Sequence, residues 1–161
     1  MEPRLNYPKT SPEGVEILGR LEAYIKQSGL EPGLVELVKL RASQINGCAY
    51  CIDMHTKDAR SAGESEQRLY GLNAWREAPF YTARERAALD WAEHVTLISQ
   101  NHVPDAVYNH AKEHFSDREL VDLTLAVIAI NSWNRLAISF HSLAGSYQPN
   151  HPVAKKHNPE K

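Results

Sequence analysis

Apolar side chains recur at helical spacing along most of this chain, and prolines, glycines and capping residues divide the pattern into about seven segments. Ser11-Pro12 reads as an N-cap followed by proline at the first helical position. It opens a helix to about Gln27 with Val15, Ile17, Leu18, Leu21, Tyr24 and Ile25 on its apolar side. Ser28-Gly29 stops that helix, and Pro32 opens a second with a stripe of Leu34, Leu37, Val38, Arg41 and Ile45. A third runs from about Cys48 to Ala62 and ends at Gly63; a shorter fourth covers about Ser65 to Arg76. Thr82-Ala83-Arg84-Glu85 and Ser116-Asp117-Arg118-Glu119 both have the capping-box form, in which the N-cap hydroxyl and the glutamate satisfy orphan amides reciprocally. The first opens a fifth helix to about Ser99, with Ala87, Ala88, Trp91, Ala92, Val95 and Ile98 facing inward. Pro104 starts a sixth to about Phe115, and the second box opens a seventh to about His141. Leu123 to Ile130 is apolar nearly all round, as in a helix buried in a core or a subunit interface. With no convincing strand and no glycine-rich phosphate loop, the expected fold class is all-α.

Composition narrows the classes of function. The chain's 161 residues, 42% of them apolar, suit one folded domain over residues 1–161. Residues 1–10 read as an extended arm, and the tail from Ser146, rich in proline, histidine and lysine, reads as surface. Eighteen basic against twenty acidic residues leave a formal charge of −2, which argues against a nucleic-acid partner. No apolar run approaches the ~20 residues of a membrane span, and the polar N-terminus lacks a secretory h-region. The expected compartment is the cytoplasm, where structural disulfides are rare. Yet both cysteines of the chain sit in one four-residue window.

That window, Cys48-Ala49-Tyr50-Cys51-Ile52-Asp53-Met54-His55, carries the candidate chemistry. Cys48 and Cys51 are i, i+3 and Cys51 and His55 are i, i+4, so all three fall on one helical stripe. The spacing brings the sulfurs within reach of a disulfide. Cys48 follows Gly47 and is expected at a helix N-terminus, where unpaired amides and the helix dipole stabilise a thiolate, the reactive form. His55 is placed to exchange a proton with Cys51. Asp58, i+3 from His55, either orients the ring or is a solvated charge. A pair of core-filling cysteines is the plainer reading, but the preceding glycine and the histidine one turn on fit it poorly. Two thiolates and an imidazole also suit zinc, but a structural site takes four ligands and the fourth would have to come from elsewhere. A thioredoxin-type CxxC would need βαβ alternation, which is lacking.

At these residues the sequence resembles the AhpD-like alkylhydroperoxidases of the carboxymuconolactone decarboxylase superfamily. Their pattern is a glutamate on the preceding helix followed by CxxCxxxH. Here the glutamate is Glu36, twelve residues before Cys48, followed by Cys48, Cys51 and His55; Asp58-Ala59-Arg60, Ala62-Gly63 and Trp133-Asn134-Arg135 add to the likeness. It covers about residues 12–142, leaving an N-terminal arm of 1–11 and a C-terminal tail of 146–161. The resemblance implies a helical fold assembled as a trimer or hexamer, and peroxide reduction without metal, haem or other cofactor. Carried over by motif position, Cys51 would be the peroxidatic thiol and Cys48 the resolving thiol, with His55 and Glu36 in a proton relay. A dithiol reductant or adaptor protein would reduce the resulting Cys48–Cys51 disulfide. The chain departs from the pattern at Tyr50, where well-characterised members often carry a histidine; a phenol stays neutral near pH 7 and cannot replace a titrating imidazole. Decarboxylase members act without the cysteine pair, so its presence argues against a lactone decarboxylase.

Other residues add less. His94, His102, His110 and His114 are scattered over the fifth and sixth helices and their connection. His110 and His114 are i, i+4 and could bind a metal, but with no acidic residue expected on the same face they read as surface. Trp75, Trp91 and Trp133 read as core or interface anchors. Asn131, Asn134 and Arg135, on one side of the apolar last helix, are expected to bond across a helix or subunit contact. The leading reading is thus a dithiol peroxidase or disulfide reductase. The alternatives are a non-catalytic redox sensor or oligomeric scaffold switched by the Cys48–Cys51 disulfide, and a structural metal-binding module.

Overall fold

The computed structural model describes residues 2–149 and contains no strand among them. In chain order the helices are α1 (Tyr7–Thr10), α2 (Pro12–Gln27), α3 (Pro32–Asn46), α4 (Ala49–Ser61), α5 (Glu66–Gly71), α6 (Ala83–Thr96), α7 (Ile98–Asn101), α8 (Asp105–His114) and α9 (Asp117–Phe140), with a 3-10 turn Leu72–Ala74 after α5. The all-α reading holds, and so do its punctuation marks. Proline stands in the first turn of α2 and α3, and both capping boxes are formed, at Thr82/Glu85 and Ser116/Glu119. Residues 150–161 of the tail lie outside the described residues.

Three local expectations need correction. Residues 1–10 are not extended throughout, because Tyr7–Thr10 closes a helical turn capped by the Asn6 side chain. This arm docks on the end of α9: the Arg4 N–H donates to the Phe140 carbonyl at 3.0 Å, and the Tyr7 and Phe140 rings lie 5.7 Å apart. The extra turn makes the CxxC helix the fourth rather than the third. The segment expected as one helix over 65–76 ends as α5 at Gly71 and tightens into the 3-10 turn Leu72–Ala74; Gly71 and Asn73, at this break, are poor helix formers. The fifth expected helix ends at Thr96 and resumes as α7, the break falling just after the β-branched pair Val95-Thr96.

α3 is the axis of the bundle, touching α4, α6 and α9. One apolar cluster joins α2, α3, α6, α8 and α9 through Ile25, Val38, Trp91, Ala111, Leu123 and Val127. A second fills the space between α3 and α4–α6 with Leu37, Leu40, Leu72, Trp75 and Leu89. A third is small and lies at the cysteines: Ala42, Cys48, Cys51, Ile130 and Ala137, flanked by Tyr50 and Trp133. α3 and α9 are also clasped by polar groups. Asn46 Nδ2 donates to Asn131 Oδ1 at 3.0 Å and to Asn134 Oδ1 at 2.8 Å, and Asn134 Nδ2 donates to Ser43 Oγ at 3.1 Å. This is the cross-helix role expected of the asparagines, and it spends their polar groups inside the bundle. By length and composition alone, α9 is long and apolar enough to cross a bilayer. That corrects the expectation that no run approaches such a length, since these asparagines interrupt the apolar sequence without making the helix polar.

Candidate active site

Gly47 sets the geometry of the cysteines. It ends α3 in the left-handed region, φ 69°, ψ 31°, which costs a glycine little and an L side chain more. The reversal lets the Cys48 N–H reach back to the Ser43 carbonyl at 3.0 Å and turns the chain straight into α4. Cys48 is the N-cap of α4, and its Sγ accepts from the Cys51 N–H at 3.3 Å. The two cysteines form a disulfide with their Cα atoms 5.3 Å apart, and each is only 1% exposed. Sequence spacing therefore placed both sulfurs correctly, at the dipole end of a helix.

One turn further on, His55 is buried, and its Nδ1 lies 2.8 Å from Glu36 Oε2 on α3. Burial pushes the Glu36 carboxyl up, but the His55 hydrogen bond and charge, with Lys39 and Lys26 nearby, bring it below its ordinary range overall. An ionised carboxylate only accepts, so Nδ1 carries the proton and donates. The other ring nitrogen, Nε2, is buried without a hydrogen-bond partner among the described residues. Glu36, not Asp58, thus orients the ring. Asp58 accepts instead from the Tyr147 hydroxyl, at 2.8 and 2.9 Å to its two oxygens. Ligating atoms of Glu36, His55 and Asp58 nevertheless lie within 4.8 Å of one another.

These groups line a cavity of about 340 Å³. Cys51, His55, Glu36 and Asp58 form its reactive side, and Tyr7, Tyr50, Met54, Trp133 and Tyr147 supply apolar and aromatic walls. Cys48 does not line it. Burial pushes the Tyr50 phenol up, so it is neutral, as expected for this position. The positive charges at the cavity are Lys26 and Lys39, the latter 4% exposed and paired with Glu22. Tyr7 and Tyr147 were not anticipated. Each is a large aromatic in an otherwise polar terminal segment, and that contrast was the available signal. The Tyr147 segment is fastened to α4 by Lys57 Nζ donating to the Tyr147 carbonyl at 3.0 Å and by the Gly145 N–H donating to Asp53 at 3.0 Å.

The remaining candidates lie elsewhere. Trp75 and Trp91 are buried and donate to Glu93 and Thr124, as anchors do. His94 Nδ1 lies 2.9 Å from the Asp90 carbonyl, and His102 closes α7 at φ 52°. Arg135 bonds back to Asn131 on its own helix. His110 and His114 are at the surface, but the sequence reading missed Glu113 beside them. At i+3 from His110 it shares their face, and ligating atoms of the three lie within 4.8 Å of one another.

The pattern of the carboxymuconolactone decarboxylase family matches residues 12–94, which include Glu36, both cysteines and His55. The chain belongs to that family. As an AhpD-like member of it, the protein is 49% identical to the uncharacterized protein YdfG of Bacillus subtilis over 146 residues, 91% of this chain and 99% of that one. It also resembles a crystal structure from Agrobacterium tumefaciens, described as a protein of unknown function and candidate antioxidant defence protein AhpD. The identity is 46% and the TM-score 0.88, over 91% of this chain and 100% of that one. An uncharacterized peroxidase-related protein from Silicibacter sp. TM1040 matches at 25% identity and a TM-score of 0.76, over 88% of this chain and 75% of that one.

Proposed function

We propose that this AhpD-like protein is a thiol peroxidase that reduces hydroperoxides through a Cys48–Cys51 dithiol/disulfide cycle. The observation that carries the reading is the relation of Cys51 to His55. Both line one cavity, His55 Nδ1 is held by Glu36, and Nε2 is left free to take a proton. In the reduced protein, Nε2 accepts the Cys51 thiol proton directly or through one water. The Cys51 thiolate attacks the outer peroxide oxygen, the O–O bond breaks, and the leaving alkoxide takes the proton from the imidazolium. Cys51 is then a sulfenic acid. Cys48, with its sulfur at the α4 N-terminus, attacks it, releasing water and forming the disulfide. Glu36 stays ionised and fixes the tautomer throughout.

A dithiol donor, free or carried by an adaptor protein, closes the cycle. Burial of both sulfurs favours a slender dithiol that enters through the cavity over the broad face of a folded domain. No metal or haem enters these steps; the redox-active disulfide is the only redox group the cycle needs. A cytoplasmic site of action suits a cycle that must be re-reduced. Val121 and Ile128, seven residues apart on α9, and Ile98 on α7 are exposed apolar side chains, and we assign this face to assembly of a homo-oligomer.

The test is to mix fully reduced protein with a slight excess of an organic hydroperoxide, following peroxide loss and protein mass. The expected outcome is fast peroxide loss with a two-hydrogen mass decrease located at Cys48–Cys51, and an inert Cys51→Ser variant. Thiols reacting no faster than free cysteine would overturn the assignment. Oxidation without turnover in the presence of dithiol, together with a change in oligomer size, would mark a redox sensor instead.

A further inference from the structure

The last turn of α8 holds His110, Glu113 and His114, spaced i, i+3 and i+4. One ligating atom from each lies within 4.8 Å of the other two. The two imidazoles meet edge-on with ring centroids 5.4 Å apart. None of the three side chains makes a hydrogen bond or ion pair among the described residues, although other charges nearby are engaged: Lys112 with Asp117, and Arg84 with Glu119 and the His114 carbonyl. Ala111, on the same helix, packs into the core, while His110 and His114 are half-buried and Glu113 is exposed. Three donors thus stand together, accessible to solvent and not consumed by the fold.

We propose that His110, Glu113 and His114 bind a first-row divalent transition-metal ion, with Zn²⁺ the expected choice. Two imidazoles and one carboxylate are a donor set that such ions favour and that Ca²⁺ and Mg²⁺ do not. Tetrahedral ligands about 2.0–2.2 Å from an ion lie about 3.3–3.6 Å from each other. The present spacing, within 4.8 Å, leaves about an ångström to be closed by side-chain rotation on binding. The ligands sit at the C-terminal end of α8, where unpaired carbonyls favour a cation. Three protein ligands leave the fourth position to water. No α8 residue lines the cysteine cavity, so this site is separate from the peroxidase chemistry and does not depend on it.

The experiment uses the full chain without an affinity tag, with the Cys48–Cys51 disulfide intact so that no thiolate competes. Titration with ZnCl₂ in a calorimeter is expected to show one ion per chain. Imidazole NMR signals of His110 and His114 should shift as it binds. His110→Ala/His114→Ala should weaken binding by at least about tenfold, and the isosteric surface change Glu113→Gln by several-fold at unchanged melting temperature. His151→Ala/His157→Ala, in the tail, should bind as the parent does. Absence of stoichiometric binding would overturn the site. So would equal affinity in the His110/His114 and Glu113 variants, or signals that shift at His55, His151 or His157 instead.

Discussion

Glu36→Gln removes one charge from the proposed relay and almost nothing else. The substitution keeps the shape of the side chain, and the amide oxygen can still accept from His55 Nδ1. What changes is the character of a 2.8 Å contact to a buried ring. A hydrogen bond to a charged partner is worth about 1.5–3 kcal/mol, against about 0.5–1.5 kcal/mol for a neutral one. The imidazolium that forms when Nε2 takes the Cys51 proton is the species that gains most from the carboxylate. Loss of the difference, about 1–1.5 kcal/mol, at that point slows disulfide formation about 5- to 13-fold. The assay is stopped-flow mixing of reduced protein with an organic hydroperoxide. Trp133, on the cavity wall, serves as the fluorescence reporter, and mass spectrometry confirms the product. His55→Asn should be slower still, and the double variant should match His55→Asn alone, because Glu36 acts through the ring. Acid stability supplies a second readout. The Glu36 carboxyl is depressed in the folded protein, so its contribution is present above its ordinary value of 4.5 and lost as pH falls through the depressed value. Glu36→Gln should therefore flatten the stability profile below 4.5. A variant that keeps more than half the parental rate, or a double variant whose loss is the product of the single losses, would refute the relay.

Gly47→Ala meets no atom within 4 Å of the added carbon but forces alanine to φ 69°. The expected cost is about 1–2 kcal/mol, a fall in melting temperature of about 2–8 °C, and an unchanged melting temperature would show that the turn relaxes freely. The Ser116 N–H and hydroxyl, with Arg84, pull the Glu119 carboxyl down to about 2 from 4.5. Its stabilisation is therefore complete above pH 4.5 and fades toward pH 2. Urea midpoints of Glu119→Gln and the parent should differ at pH 7 and converge at low pH; a constant gap would contradict the assignment. Val121→Asp/Ile128→Asp should reduce the oligomer size seen by sedimentation while leaving the helical circular dichroism intact. An unchanged mass would place assembly on another face.

Much of the fold was legible because helix signals are local. The capping boxes at Thr82 and Ser116 and the prolines at 12 and 32 act within one turn, and the structure uses them at the expected residues. The Ser11 hydroxyl makes no cap bond although Ser11 occupies the cap position, so even there the residue type fixed the place and not the contact. Helix interiors that broke were decided by weaker preferences. After Gly71 the chain tightens into the 3-10 turn Leu72–Ala74, which buries Leu72 and leads into buried Trp75, a gain no pattern of apolar spacing encodes. The arm was read as extended because Tyr7 finds its partner, Phe140, at the far end of the chain.

The site divides along the same line. Cys48, Cys51 and His55 lie on one helix, so their common face followed from spacing alone. Glu36 is on another helix, and spacing could not distinguish it from a solvated charge; the resemblance brought it in, and the structure places its carboxylate 2.8 Å from His55. Asp58 had two open readings, and its partner, Tyr147, is 89 residues away, so the choice depended on how the chain end returns over α4. That return changes the chemistry as well as the shape. With Tyr147 fastened to Asp58 and Glu36 to His55, each of these two carboxylates has its own donor, and among the described residues the buried polar atom left unmatched at this wall is His55 Nε2. An unmatched buried nitrogen costs stability, and the fold bears that cost beside Cys51, where a proton acceptor is useful only when the cysteine is reduced. In the proposed mechanism the tail segment is therefore part of what isolates the base, although nothing in its own sequence names a proton-transfer group.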